Sequence, residues 1–273
     1  MAKAFIQVTF TDVTTEKQEV LIAYLSEAGY EGFEESVAML NAFIPADIFD
    51  QSFLIELAAE NKVTYTTSSI DAQNWNAVWE SNFQPVVVDD FVVIRAHFHE
   101  PAKGVEHEII ITPKMSFGTG HHATTFMMMQ EMRKIDFNGK NVLDFGTGTG
   151  VLAILAQKLG AKKIIAIDHD EWSIENATEN MERNDCELVE VVKLDTAVTG
   201  QVFDIILANI NKNVILDNMK VLSEQLSKGG ILLLSGLLKE DEPDIRKAAE
   251  EHLLVFAGRA EKDNWLCLKM IYY

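Results

Sequence analysis

Val142-Leu-Asp-Phe-Gly-Thr-Gly-Thr-Gly150 decides the fold. A short apolar run ends in three glycines at every second position, and a helix-like segment (Val151 to Leu159) starts at once. That order reads as a strand, a tight turn and a helix N-terminus. Glycine suits such a turn because it tolerates positive φ and lets a ligand approach the backbone. The helix start adds unpaired N–H groups and a partial positive charge. The dinucleotide pattern G-x-G-x-x-G does not fit, because the third glycine would fall at Val151. The next apolar run, Lys163-Ile-Ile-Ala-Ile-Asp168, ends in an acid. A carboxylate there can accept hydrogen bonds from ribose hydroxyls, which points to an adenosine-containing ligand. The competing reading is a structural glycine turn, with Asp168 merely capping the next helix.

Outward from this stretch the chain alternates strand and helix in the doubly wound manner. Strands are expected at Asn141–Phe145, Lys163–Asp168, Glu190–Leu194, Phe203–Ala208, Gly230–Ser235, near Leu253–Ala257 and at Trp265–Ile271, with helices between them. Ligands of such folds bind outside the strand carboxyl ends, so Gly146, Asp168 and Asn209 should cluster.

Upstream, residues 1 to about 70 read β-α-β-β-α-β, the split βαβ of a small α+β, ferredoxin-like domain. A turn is expected at Glu34-Glu35-Ser36. Residues 71–95 read as a linker helix and a hairpin; Trp75 and Trp79 share a helix face and Phe83 continues the stripe. Residues 96–273 are then the larger domain. Pro113-Lys-Met-Ser-Phe-Gly-Thr-Gly-His-His-Ala-Thr-Thr125 holds two glycines, two histidines and four hydroxyls, and reads as a lid. The Met-rich helix expected at Phe126–Lys134 reads as a buried face.

Composition narrows the classes. No run approaches the length of a transmembrane helix and no signal-peptide pattern opens the chain, so a cytoplasmic protein without membrane attachment is expected. Cys186 and Cys267 are isolated and read as reduced thiols. The net charge is −19, and residues 1–90 hold three lysines, no arginine and fifteen acids. Such a surface repels phosphate backbones and attracts a basic partner. His121-His122 and Asp168-His169-Asp170 could suggest metal, but neither has a Cys-rich partner, and no metal is expected. One of the two loop histidines could instead accept a proton.

The acidic α+β unit, the Trp-x-x-x-Trp segment, Phe117-Gly-Thr-Gly-His-His-Ala-Thr-Thr125, Asp144-Phe-Gly-Thr-Gly-Thr-Gly150 and Ala208-Asn-Ile210 together resemble the PrmA family, bacterial S-adenosylmethionine-dependent methyltransferases of ribosomal protein L11. The resemblance spans essentially the whole chain. It implies a Rossmann-like seven-stranded methyltransferase domain behind a ferredoxin-like substrate-recognition domain, acting on lysine side-chain amines and the N-terminal amine; a monomer is expected. It implies cofactor contacts from Phe117, Thr124, Thr125, Asp144, Gly146, Gly148, Gly150, Asp168 and Asn209, with Asn209 also the catalytic candidate that orients the acceptor amine. Two departures stand out. The family's lid usually reads Gly-Thr-Gly-Thr-His-Pro-Thr-Thr, whereas here His121 replaces a Thr and Ala123 the Pro, which should loosen the loop. The segment after Asn209 reads Ile-Asn-Lys-Asn rather than Pro-Leu. The alternatives are the same chemistry on another amine acceptor, and a non-catalytic adenosine-binding ribosome adaptor.

Overall fold

The computed structural model describes residues 4–70, 83–113 and 118–273. Two compact units divide the chain, Met1–Ser81 and Asn82–Tyr273. Most of the expected linker helix, Trp75 and Trp79 included, falls outside the described residues.

The first unit carries β1 (Phe5–Thr11), α1 (Thr15–Glu27), β2 (Gly32–Ser36), β3 (Met39–Pro45), α2 (Gln51–Asn61) and β4 (Thr64–Ile70). All neighbouring strands are antiparallel in the order β2-β3-β1-β4, which is the ferredoxin-like arrangement. Alternation sets the inner face: Val8 and Phe10 from β1 meet Leu40, Ala42 and Ile44 from β3 under Leu21 and Leu25 of α1. Asp50 caps α2 by accepting from Ser52 N at 2.8 Å. The turn expected at Glu34-Glu35-Ser36 lies further on. Those residues pair in β2, and the chain reverses at Val37-Ala38, where Ala38 takes φ 60°. The acids mimic a turn in composition, but they occupy an edge strand.

The second unit begins with β5 (Val86–Val88), β6 (Val92–Ala96) and β7 (His107–Ile111), a three-stranded sheet with β6 central. Arg95 on β6 is buried, and its guanidinium holds both carboxylate oxygens of Glu108 on β7, at 2.7 and 3.0 Å. Then follow α3 (Ala123–Met132), β8 (Asn141–Phe145), α4 (Val151–Lys158), β9 (Lys163–Asp168), α5 (Glu171–Arg183), β10 (Val189–Lys193), β11 (Phe203–Asn209), α6 (Lys212–Glu224), β12 (Leu226–Leu238), α7 (Glu242–Glu251), β13 (Leu254–Lys262) and β14 (Trp265–Tyr272). The seven strands order as β10-β9-β8-β11-β12-β14-β13. Pairs are parallel from β10 to β12, and β14 runs antiparallel to both neighbours.

Both faces of this sheet are covered, so its strands are nearly all apolar. Val142, Ile164, Ala166, Ile205 and Leu207 point into one core, beneath α3 and α4. Leu143, Ile165, Ile167, Ile206 and Ala208 point into the other, beneath α6 and α7. Met127, Met128, Met129 and Met132 are all buried, as a buried helix face requires. Strand order reverses beside β8, between β9 and β11, so the turn after β8 opens at the crevice where such sheets bind ligands. Among the described residues no helix is long and apolar enough to cross a membrane.

Candidate active site

Gly146, Gly148 and Gly150 take φ of 75°, 54° and 83°. The turn is fixed from below: Gly146 N and Thr147 N both donate to Ile167 O, at 2.9 and 3.0 Å. A Cβ on Gly146 would lie 2.2 Å from Ile210 Cγ2, and one on Gly236 only 2.1 Å from Ile210 O. Ile210 is thus wedged between two backbone segments that admit no side chain, and this sets the chain direction just after Asn209.

Asp168 ends β9 and is buried. One carboxylate oxygen accepts from Gly148 N at 2.9 Å and the other from Asp170 N at 3.1 Å. A carboxylate has about four acceptor positions, so capacity remains for ligand hydroxyls. Asp170, not Asp168, caps α5, accepting from Ser173 N at 3.0 Å. The simple capping reading of Asp168 therefore fails.

Asp144 lies beneath the turn, fully enclosed. Thr147 Oγ1 donates to its Oδ2 at 2.7 Å, while Oδ1 has no partner. Burial pushes its pKa up to about 7; the hydrogen bond from Thr147 opposes this, and the charge of Asp168 adds to it.

Asn209 is the last residue of β11 and is buried. Its Nδ2 donates to Thr125 Oγ1 at 3.1 Å, and its Oδ1 has no partner. Thr124 and Thr125 are fully buried and belong to the first turn of α3, not to a loop before it. The helix starts at Ala123 because His122 caps it, its Nδ1 accepting from Thr124 N at 3.3 Å. His122 also meets the Trp265 ring edge-on, with centroids 4.7 Å apart. His121 is exposed and turns instead to Phe83, at 4.9 Å.

These groups surround a cleft of about 340 Å³. Thr124, Gly146, Gly148, Asp168 and Asn209 line it together. Thr125 stands behind Asn209, Asp144 lies under the turn, and Gly150 starts α4, packed on Met181. Phe117 lies outside the described residues. Sequence reasoning missed Trp265, Ile210 and Gly236 as cleft residues. Trp265 starts the seventh strand, and its arrival here depends on the antiparallel insertion of β14, which no local pattern announces. A groove of about 480 Å³ near Met181 and Cys186 is lined by Thr178, Glu182, Asp185 and Glu187 and holds none of the expected site residues. Among the described residues no three His, Cys, Asp or Glu side chains gather as metal ligands would.

The cleft suits an adenosine cofactor on its own evidence. It offers a backbone cradle without side chains, an acid at the end of the neighbouring strand, and one buried side-chain oxygen, Asn209 Oδ1, with no partner inside the protein. Its volume lies within the range of small-molecule sites. With a seven-stranded sheet whose β14 alone is reversed against its neighbours, fold and site define an S-adenosylmethionine-dependent methyltransferase.

Residues 3–271 match the family model described as ribosomal protein L11 methyltransferase (PrmA), and the chain belongs to that family. It is 40% identical over 261 residues to the ribosomal protein L11 methyltransferase of Bacteroides fragilis, an alignment covering 93% of each chain. It is 36% identical to that of Phocaeicola vulgatus, covering 98% of this chain and 99% of the relative. The crystal structure of a ribosomal protein L11 methylase from Lactobacillus delbrueckii subsp. bulgaricus superposes with a TM-score of 0.65 at 27% identity, over 70% of this chain and all of that one.

Proposed function

We propose that this chain methylates ribosomal protein L11 in the cytoplasm, at lysine side-chain amines and the N-terminal α-amine, as a monomer that makes no direct contact with nucleic acid. The observation that carries the amine chemistry is Asn209: Nδ2 is anchored to Thr125, and Oδ1 is left without a partner at the wall of the cleft. The family's name and relatives support L11 as the acceptor. The acidic residues 1–70 suit docking of a basic ribosomal protein.

Gly146 and Gly148 would hold the cofactor's backbone-facing side, and Asp168 its ribose hydroxyls. Thr124, Asn209 and, by resemblance, Phe117 would hold the rest. When bound, S-adenosylmethionine supplies an electrophilic methyl on a sulfonium centre. A lysine ammonium has no lone pair, so the acceptor must lose a proton before it attacks. The apolar walls from Ile210 and Trp265 favour the neutral amine, because desolvation lowers a lysine pKa. Asn209 Oδ1 would accept one N–H of that amine and aim its lone pair. Alignment of this kind can supply most of the acceleration of a displacement. Asn209 is not a base and forms no covalent intermediate.

The test is incubation with methyl-labelled S-adenosylmethionine and unmodified ribosomal proteins, free and assembled. The expected result is label in L11, on amine nitrogens. Cofactor binding without label in L11 would move the acceptor elsewhere or favour the adaptor reading.

A further inference from the structure

Two buried side chains outside the cleft hold its glycine turn against separate stretches of backbone. Asn180 on α5 is fully buried. Its Oδ1 accepts from Thr112 N at 2.8 Å, just past β7, and its Nδ2 donates to Thr149 O at 2.8 Å, inside the glycine turn. A second, longer bond runs from Nδ2 to Asn176 Oδ1 at 3.4 Å. Thr149 is also fully buried, and its Oγ1 donates to Gly118 O at 2.8 Å. Thr112 and Gly118 flank residues 113–117. Both flanks are therefore bonded to one residue of the turn, the first through Asn180 and the second directly.

The arrangement is specific to an amide at position 180. One planar group must accept from one segment and donate to another, which neither Asp nor Leu can do. One turn further, at the residue that ends α5, Asn184 repeats the device: its Oδ1 accepts from Ile110 N at 2.9 Å and its Nδ2 donates to Ile110 O at 2.6 Å. β7 is an edge strand of its sheet, so these two asparagines satisfy backbone groups that a further strand would otherwise pair. Neither Thr149 nor Asn180 lines the cleft.

We propose that Thr149 and Asn180 are positioning residues that clamp the glycine turn to the backbone at Thr112 and Gly118, and that cofactor affinity depends on this clamp. The inference rests on the cofactor reading given above. If the clamp holds the turn in its binding form, loosening it costs binding free energy and leaves the acceptor side untouched. Losing one such hydrogen bond costs on the order of 1 kcal/mol, which is close to a tenfold change in affinity.

The experiment is titration calorimetry of the full chain with S-adenosylmethionine and with S-adenosylhomocysteine, for wild type, Thr149→Val and Thr149→Ser, with melting curves for each. Thr149→Val keeps the shape and removes the hydroxyl. It should weaken both ligands about tenfold, with Tm lowered by no more than about 2–4 °C and KM for the acceptor protein unchanged. Thr149→Ser should restore wild-type affinity. Asn180→Asp keeps the bond to Thr112 and turns an acceptor toward Thr149 O, so it should weaken binding further. Wild-type affinity in Thr149→Val, or equal losses in the Val and Ser variants, overturns the clamp. No binding by wild type would instead remove the cofactor reading, and the clamp with it.

Discussion

Asp144 and Asp168 sit at the ends of neighbouring strands, and their surroundings assign them different work. Asp168 accepts two backbone N–H bonds at the wall of the cleft. Asp144 is enclosed, with one oxygen unpaired and a pKa pushed up to about 7 by burial. The sign of the stability effect follows from linkage. Above the unfolded carboxylate value and below about 7, the folded protein binds more protons at this site than the unfolded chain does. Stability from this group is therefore greatest at low pH and is lost as pH rises toward 7. Asp144→Asn should flatten that slope, so that Tm of the ligand-free protein rises most relative to wild type at pH 8 and changes little near pH 4. Melting curves across that range check it; parallel profiles for the two proteins would mean that Asp144 stays ionised. Asp168→Ala should weaken S-adenosylmethionine binding by ten- to a hundredfold, since buried ligand hydroxyls and Gly148 N would both lose their acceptor. Unchanged affinity would remove Asp168 from the ribose role.

At the scale of elements, α3 begins where the family's usual proline would stand. Ala123 is the first helical residue, and His122 before it is extended at ψ 140°. The first helical position needs no N–H partner, and a residue preceding proline prefers extended backbone. Ala123→Pro should therefore stabilise the protein by about 0.4–1 kcal/mol, read as a small rise in Tm. A lower Tm would show that His122 cannot keep its cap beside proline. The sequence reading set this helix three residues late because histidine is an unusual cap, so Thr124 and Thr125 passed for loop. The elements it reached well are those whose pattern is local: β8 and β9 are short, nearly all-apolar runs, and α5 begins at a capping acid. β13 extends to Lys262, well past the expected Ala257, because its alternate residues face solvent and its apolar count is low. β12 reaches back to Leu226, where the Gly229-Gly230 pair hides the strand from periodicity. Among site residues, the turn glycines and Asp168 follow from spacing, and Asn209 from its place at a strand end together with the family resemblance. Trp265 and Gly236 do not, because the order of β12, β14 and β13 brings them to the cleft.

For the whole molecule the question is how chemistry and recognition divide. The second unit has two cores of its own on either face of one sheet, and every described cleft residue lies within it. The first unit has a separate core and contributes none of those lining residues. Residues 1–90 carry a net charge of −12. If recognition of a basic protein rests there, it is electrostatic in part and must weaken with salt, because a Debye length shrinks from about 10 Å at 0.1 M to about 3 Å at 1 M. KM for L11 should therefore rise with ionic strength, while the dissociation constant for S-adenosylmethionine, set inside the cleft, should change little. Removing residues 1–81 should spare cofactor binding, measured by calorimetry, and abolish label transfer to L11. The two measurements separate the causes of a failure. A shortened chain that binds no cofactor has lost its fold, and its silence toward L11 means nothing for docking. One that binds cofactor and methylates L11 as fast as the full chain rules out the first unit as the docking element. One that binds cofactor and leaves L11 unlabelled assigns recognition to residues 1–81.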